Sequence, residues 1–271
     1  MLDQFISAFT QCAHASGINQ VQFYVEQVKE EKLRVFQNEL EGMQLADLIV
    51  VYVEGDYQGL HGSTFVENPD PRLFDEHIAN IKQTAKCNSV PFLPRRSQKL
   101  TSLQTLDNAL PLHLLVDKLK AAEAAAYAVD EHVQLVRDCS FISKSKRIIL
   151  IDDLGERMED YLHFYQAGTS VVAEESEQVQ TAGQYSFARN IDRLDIIALA
   201  QAAATKAVSM LGAAPVKTGE YPVIMQNEVV CDLLLTFLPA FFADRVQNAM
   251  SRLQGKMGQQ VASSAISLLE D

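Results

Sequence analysis

The chain has 271 residues, 48% of them hydrophobic, and this predicts a globular protein of one large or two ordinary domains. Acidic residues outnumber basic ones by 35 to 23, and no segment concentrates Lys and Arg, so direct binding to nucleic acid is disfavoured. The four cysteines form no CxxC pair, and the first residues lack the basic start of a secretory signal. We expect a soluble cytoplasmic protein with reduced thiols.

Residues 1–87 predict an N-terminal α+β domain. Apolar side chains recur at helical spacing over residues 2–16 and again over residues 73–86. Three runs with strand character lie between them, at 21–25, 32–36 and 46–53. The pattern predicts an antiparallel sheet flanked by helices.

The remaining chain predicts a linker and two further regions. Residues 88–110 are polar and contain Pro91 and Pro94, which is typical of a linker. Residues 111–217 repeat the plan of helix, antiparallel sheet and helix, with the last helix at 191–211. The overall fold class is therefore predicted to be α+β.

Residues 218–271 predict the start of an incomplete, β-rich C-terminal domain. The segment YPVIM at 221–225 has the composition of a buried strand, and AISLL at 265–269 has that of a strand that has just begun. Between them lies a helix with a broad apolar surface, formed by Val230, Leu233, Leu234, Phe237, Leu238, Phe241 and Phe242. So much apolar surface predicts aggregation, dimerisation or local disorder unless it is covered.

Local motifs give little support for an active site. The histidines form no HxH, HxxxH or HExxH pattern, which disfavours a zinc site confined to this chain, and the signatures GxSxG, GxxxxGK[ST] and GxGxxG are absent. One acidic cluster has the ligand type of a hard cation, but its spacing matches no calcium loop and its glycine favours a solvated connector. This cluster consists of Asp152, Asp153, Glu156, Glu159 and Asp160.

The segment NEVVCD, at 227–232, begins the C-terminal helical pattern. Asn is among the best N-cap residues, and a glutamate in the first turn complements the helix dipole. The local sequence therefore predicts that Asn227 is the N-cap of a helix and that Glu228 lies in its first turn.

Three stretches, in this order, resemble the TldD/PmbA family, also called the modulator of DNA gyrase family. They are LADLIVVYVEGDYQGLHGST, LVDKLKAAEAAAYAVDEHV and KTGEYPVIMQNEVVCDLLLTF. The resemblance implies one of two subunit types. TldD-like subunits carry HExxxH on the helix after the strand that corresponds to YPVIM, with a cysteine zinc ligand later in the C-terminal domain, whereas PmbA (TldE-like) subunits lack the histidines and pair with TldD.

The family motif falls on three positions of this chain. Asn227 and Asp232 stand at the histidine positions and Glu228 at the glutamate position. The resemblance therefore implies a PmbA/TldE-like chain with no catalytic residue and no zinc of its own, the zinc being held by a TldD-like partner. The family also continues past the equivalent of SLLED, so we expect a truncated chain, a fragment, or a sheet that a partner completes.

The resemblance implies a role in a cytosolic metallopeptidase assembly that cleaves or matures small or unfolded peptides, as a dimer with a TldD-like subunit or with a second copy. An alternative is a homo-oligomeric regulatory or peptide-binding protein without peptidase activity. A third is an enzyme that binds another metal through Glu228, Asp232 and residues beyond the end of this chain.

Overall fold

The computed structural model describes residues 2–88, 90–93 and 111–269. The chain divides into two compact units, Met1–Ala213 and Ala214–Asp271. Most of the predicted linker at 88–110 lies outside the described residues, and the predicted domain boundaries at 87, 110 and 217 stay predictions.

The first unit combines six described strands with four described α-helices. The helices are α1 (Leu2–Ala15), α2 (Phe74–Asn88), α3 (Leu112–Tyr127) and α4 (Ile196–Ser209), with short 3-10 helices at Pro71–Leu73 and Ile191–Arg193. The strands are β1 (Ile18–Phe36), β2 (Glu39–Tyr57), β3 (Leu60–Glu67), β4 (Val133–Asp152), β5 (Arg157–Glu175) and β6 (Gln178–Ala188). The predicted α+β class is confirmed.

All six strands form one antiparallel sheet in the order β3-β2-β1-β4-β5-β6. The two sheets that the sequence predicts separately are joined, because β1 pairs with β4 from Gln22↔Asp152 to Val35↔Cys139. The runs predicted as separate strands at 21–25 and 32–36 also belong to the single strand β1. Main-chain pairing continues through the polar residues between them, since it does not depend on side-chain polarity.

All four helices pack on the same face of this sheet, where they form two hydrophobic cores. Alternate residues of a strand point to one face, so Phe23, Val25, Leu33 and Val35 of β1 share it. Phe23 and Val25 pack with α1 and α2, whereas Leu33 and Val35 pack with α3 and α4.

Two contacts fix the helices closely against the sheet. A Cβ on Gly62 of β3 would lie 2.0 Å from the carbonyl oxygen of Ile81 in α2, so only glycine fits there. At the other core, the buried carboxylate of Glu123 in α3 accepts the N–H groups of Gln37 and Asn38, at 2.8 and 2.6 Å. Both turn residues have positive φ, 51° and 61°, so Glu123 holds the β1–β2 hairpin in a tight turn.

The second unit is helical where it has regular structure. It contains α5 (Asn227–Phe237), a 3-10 helix at Leu238–Phe241 and α6 (Ala243–Gln247), and residues 214–269 form no strand. The strands predicted at 221–225 and 265–269 are therefore wrong. Their composition suits a strand, but nothing in residues 214–269 supplies a neighbouring strand to take up their N–H and C=O groups.

The second unit also has no buried hydrophobic side chain among residues 214–269. Its one buried residue is polar. The hydroxyl of Ser251 donates to the carbonyl oxygen of Ala240 at 2.6 Å and accepts the N–H of Leu253 at 3.1 Å. Hydrogen bonds and helix formation, rather than an apolar core, define this segment.

Within the described part of the chain, no helix has both the length and the apolar composition needed to cross a membrane.

Candidate functional site

The residues that the resemblance assigns to the family motif begin helix α5. The helix starts at Asn227, and Gln226 occupies the N-cap position in an extended conformation without a side-chain hydrogen bond to the helix. The prediction that Asn227 caps the helix is therefore wrong by one position. Glu228 lies in the first turn, as predicted, where its charge complements the helix dipole.

The regular geometry of α5 divides the polar residues between two directions. Residues four apart lie on the same side of a helix, whereas residues five apart point roughly 140° away from each other. Glu228 and Asp232 therefore share one side, Asn227 and Cys231 share another, and Asn227 diverges from Asp232. All four side chains are exposed.

These residues do not fit a zinc site. Zinc in proteins prefers imidazole nitrogens and thiolates, whereas an amide such as that of Asn227 is a poor ligand. The last histidine of the sequence is His163, so residues 214–269 contribute no imidazole. Across the described ranges, no group of three or more His, Cys, Asp or Glu side chains converges on a possible metal position.

The opposite side of α5 is apolar and exposed. Val229, Leu233 and Phe237 follow one another at helical spacing with exposed fractions of 46%, 43% and 64%. Leu235, on the polar side of α5, and Phe241 and Phe242, beyond the end of the helix, are also exposed. Of the seven apolar residues predicted from the sequence to form this surface, six are exposed and Leu234 is half-buried.

Two buried histidines of the first unit take part in hydrogen bonds with neighbouring elements. His163 is buried and its Nε2 lies 3.0 Å from the hydroxyl of Ser143, on the neighbouring strand. His77, also buried, contacts the hydroxyl of Thr64 through Nδ1 at 3.2 Å. His113 of α3 is exposed.

Part of the predicted acidic connector forms the β4–β5 turn, whereas Glu159 and Asp160 lie within β5. Asp152 accepts the N–H groups of Leu154 and Glu156, and Asp153 accepts the N–H of Val21 at 3.2 Å and contacts His14 at 3.0 Å. These carboxylates therefore serve the turn and its neighbours, which agrees with the connector interpretation.

A polar band that sequence reasoning did not find crosses the helix-bearing face between the two cores. Arg147 of β4 donates to Glu159 of β5 at 2.7 Å and to Gln27 of β1 at 3.2 Å. Hydrogen bonds from Arg147, and then from Arg157, lower the pKa of the Glu159 carboxyl, although partial burial opposes this. Only the strand register brings β1, β4 and β5 together here, so the sequence carried no local signal for the band.

The buried thiol of Cys139 is poorly suited to nucleophilic chemistry. Cys139 lies in the core, and burial raises the pKa of its thiol to about 11. The other three cysteines, Cys12, Cys87 and Cys231, are exposed and none of the four forms a disulfide.

Two domain models of one protein family match parts of this chain. Residues 107–211 match the family model of the PmbA/TldA metallopeptidase central domain, and residues 218–271 match that of the PmbA/TldA metallopeptidase C-terminal domain. Comparison with curated protein sequences gave no match.

Several solved structures have a similar fold, among them the following three. A candidate modulator of a DNA gyrase from Thermotoga maritima aligns with a TM-score of 0.80 at 22% identity, over 96% of this chain and 60% of that one. TldE from Thermococcus kodakarensis aligns at 0.67 and 17% identity, over 94% and 60%. A candidate modulator of DNA gyrase from Bacteroides thetaiotaomicron aligns at 0.72 and 16% identity, over 96% and 62%.

The first unit has an α+β fold, with its four described α-helices on one face of a single antiparallel sheet. Two domain models of one family match in order and together cover more than half of the residues. The chain belongs to the PmbA/TldD metallopeptidase family. It spans about three fifths of the length of the similar solved structures.

Proposed function

We propose that this chain is a PmbA/TldE-like subunit of a cytoplasmic metallopeptidase assembly that cleaves or matures small or unfolded peptides. In this proposal a TldD-like partner holds the zinc and this chain does not. The observation that carries the proposal is the donor set on α5: Asn227 and Asp232, which the resemblance assigns to the family histidine positions, diverge on a regular helix and include no imidazole.

The exposed apolar side chains of α5 support a role within an assembly. An apolar surface formed by side chains such as Val229, Leu233 and Phe237 is costly to leave in water and is typical of a protein contact. In the proposed assembly a partner subunit covers it, and the second unit gains the apolar burial that it lacks alone.

The experiment compares two glutamates in one complex. The chain is co-expressed with a TldD-like protein that has an intact HExxxH motif, and hydrolysis of unstructured peptides is measured. Glu228→Gln in this chain is expected to leave the rate unchanged, because in this proposal the zinc, and the water that it activates, are held by the partner. The equivalent glutamate-to-glutamine change in the partner is expected to abolish hydrolysis, and it serves as the matched control.

Two results would refute the proposal. A loss of hydrolysis in Glu228→Gln that matches the loss in the partner variant would assign the general base to this chain. Peptide cleavage by this chain alone, if it is lost on chelation and restored by zinc, would also assign the general base to this chain.

A second candidate is a homo-oligomeric regulatory or peptide-binding protein without peptidase activity. It is favoured by strand β6, a sheet edge without charged residues, which is suited to pairing with another extended chain. Co-purification separates the two candidates, because this alternative requires no TldD-like partner and predicts peptide binding without cleavage.

A further inference from the structure

Strand β6 is an open edge of the sheet without the usual protection. It is the last strand in the sheet order, and no described strand pairs with its outer side. Natural edge strands are commonly protected by charged residues, proline or bulges. The 11 residues Gln178–Ala188 contain no charged residue and no proline, and their pairing with β5 shows no register shift.

The register of the β5–β6 hairpin shows which residues direct their main-chain groups outward. The two-residue turn at Ser176 and Glu177 closes on the pair Glu175↔Gln178. That closing pair exchanges both hydrogen bonds, so every second residue from Gln178 onward faces β5. The residues between them direct N–H and C=O groups to the open side, and these are Val179, Thr181, Gly183, Tyr185 and Phe187.

The same residues form an exposed apolar row. Their side chains lie on the face of the sheet opposite to Ala182, which is buried under the helices. Val179, Tyr185 and Phe187 have exposed fractions of 57%, 63% and 59%. The Phe187 ring also contacts those of Tyr185 and Phe164, with centroids 5.9 and 6.5 Å apart.

We propose that β6 pairs with β6 of a second copy of this chain, antiparallel, about a two-fold axis at Gly183. Such an interface uses the same strand on both copies, so each contact occurs twice. Phe187 then faces Val179 of the second copy, and Tyr185 faces Thr181. Aromatic side chains opposite β-branched ones are favourable cross-strand pairs.

The charges at the two ends of β6 select this register and this occupant. With the axis at Gly183, Glu177 of each copy faces Arg189 of the other, and both residues are exposed. Sliding one copy's strand along the other by two residues in one direction would place Glu177 opposite Phe187. Sliding it in the other direction would place Arg189 opposite Val179. Because each copy carries a formal charge of −12, contact between copies is favoured at a strand that carries no charge.

A disulfide across the axis tests the interface in the full chain. In a background with serine at the three exposed cysteine positions, Gly183→Cys places two thiols on a hydrogen-bonded pair, with Cα atoms about 5.5 Å apart. A Cβ at position 183 makes only an ordinary contact, 3.5 Å from a carbonyl oxygen of β5. The matched control is Gln180→Cys, whose two copies would lie about 20 Å apart in this register.

Mild oxidation is expected to convert Gly183→Cys, and not Gln180→Cys, to a covalent dimer. Equal yields from the two variants, or no dimer from Gly183→Cys, would overturn the proposal. Because the disulfide reports on β6 alone, association through the exposed side of α5 does not affect the comparison.

Charge reversal tests the register in the Gly183→Cys protein. Glu177→Arg and Arg189→Glu each place like charges opposite each other twice, so each is expected to lower the initial rate of cross-linking about tenfold. The double variant restores opposite charges and is expected to recover the original rate. A double variant no faster than either single variant would overturn the assigned register. This inference does not rest on the proposed function, since cross-linking needs no partner and no peptidase activity.

Discussion

The buried carboxylate of Glu123 is expected to contribute to the stability of the first unit. Replacing it with alanine removes two charge-assisted hydrogen bonds, to Gln37 and Asn38, that hold the β1–β2 turn against α3. Each such bond contributes about 1.5 to 3 kcal/mol, but the exposed turn N–H groups regain water, so Glu123→Ala is expected to lower the free energy of unfolding by about 2 kcal/mol. For a unit of this size, that corresponds to a fall in Tm of about 4 to 8 °C.

Thermal unfolding and hydrogen exchange measure this effect. The matched control is Asp117→Asn, which removes an exposed carboxylate from the same helix and is expected to shift Tm by no more than about 1 °C. Amide exchange at Gln37 and Asn38 is expected to accelerate in Glu123→Ala alone. A Tm equal to that of the control, or unchanged exchange at both amides, would refute the assigned role.

Three further predictions concern the first unit. Gly62→Ala forces a Cβ against a carbonyl oxygen of α2 and is expected to destabilise the fold by about 1 to 3 kcal/mol in urea unfolding. Gly42→Ala, which has open space around its Cβ, is not expected to destabilise it, and equal effects of the two changes would contradict the packing. Thiol titration of the native protein at pH 8 is expected to label the three exposed cysteines. Cys139 is expected to react only after unfolding, because burial raises the pKa of its thiol to about 11, and labelling of Cys139 in the native protein would contradict its burial. The hydrogen bond to Asp130 raises the pKa of His132, so this pair stabilises the fold below the ordinary pKa of 6.5 and loses that contribution as pH rises through the raised value. Asp130→Asn is expected to lower the pKa of His132 in an NMR titration, and an unchanged pKa would exclude this hydrogen bond as the cause.

The sequence predicted the helices of the first unit well because each buries one face within a short segment. Periodic apolar residues identify α1 and α2 without reference to the rest of the chain. The joining of the two predicted sheets was not predictable in the same way, since β1 and β4 pair over a separation of more than 100 residues. The clamp formed by Glu123 is also non-local, because its partners lie 85 and 86 residues away.

In the second unit, the strands predicted from the sequence are wrong. The composition of YPVIM favours a strand, but a strand forms only where a neighbour takes up its main-chain hydrogen bonds, and residues 214–269 offer none. At α5 the sequence identified the polar residues and the exposed apolar side, whereas the helix start differed by one residue. Boundaries depend on single main-chain hydrogen bonds, such as that from Val230 to Gln226 at 3.1 Å, and these leave little trace in composition.

The most direct test of the central claim is the zinc content of the purified chain. The protein is equilibrated with zinc, desalted and analysed for metal, with a TldD-like protein of intact HExxxH motif measured in parallel. We predict no stoichiometric zinc in this chain and one bound zinc in the TldD-like protein, because the donors on α5 do not form a zinc site. One tightly bound zinc per chain, lost in Asp232→Ala or Glu228→Ala, would contradict the account.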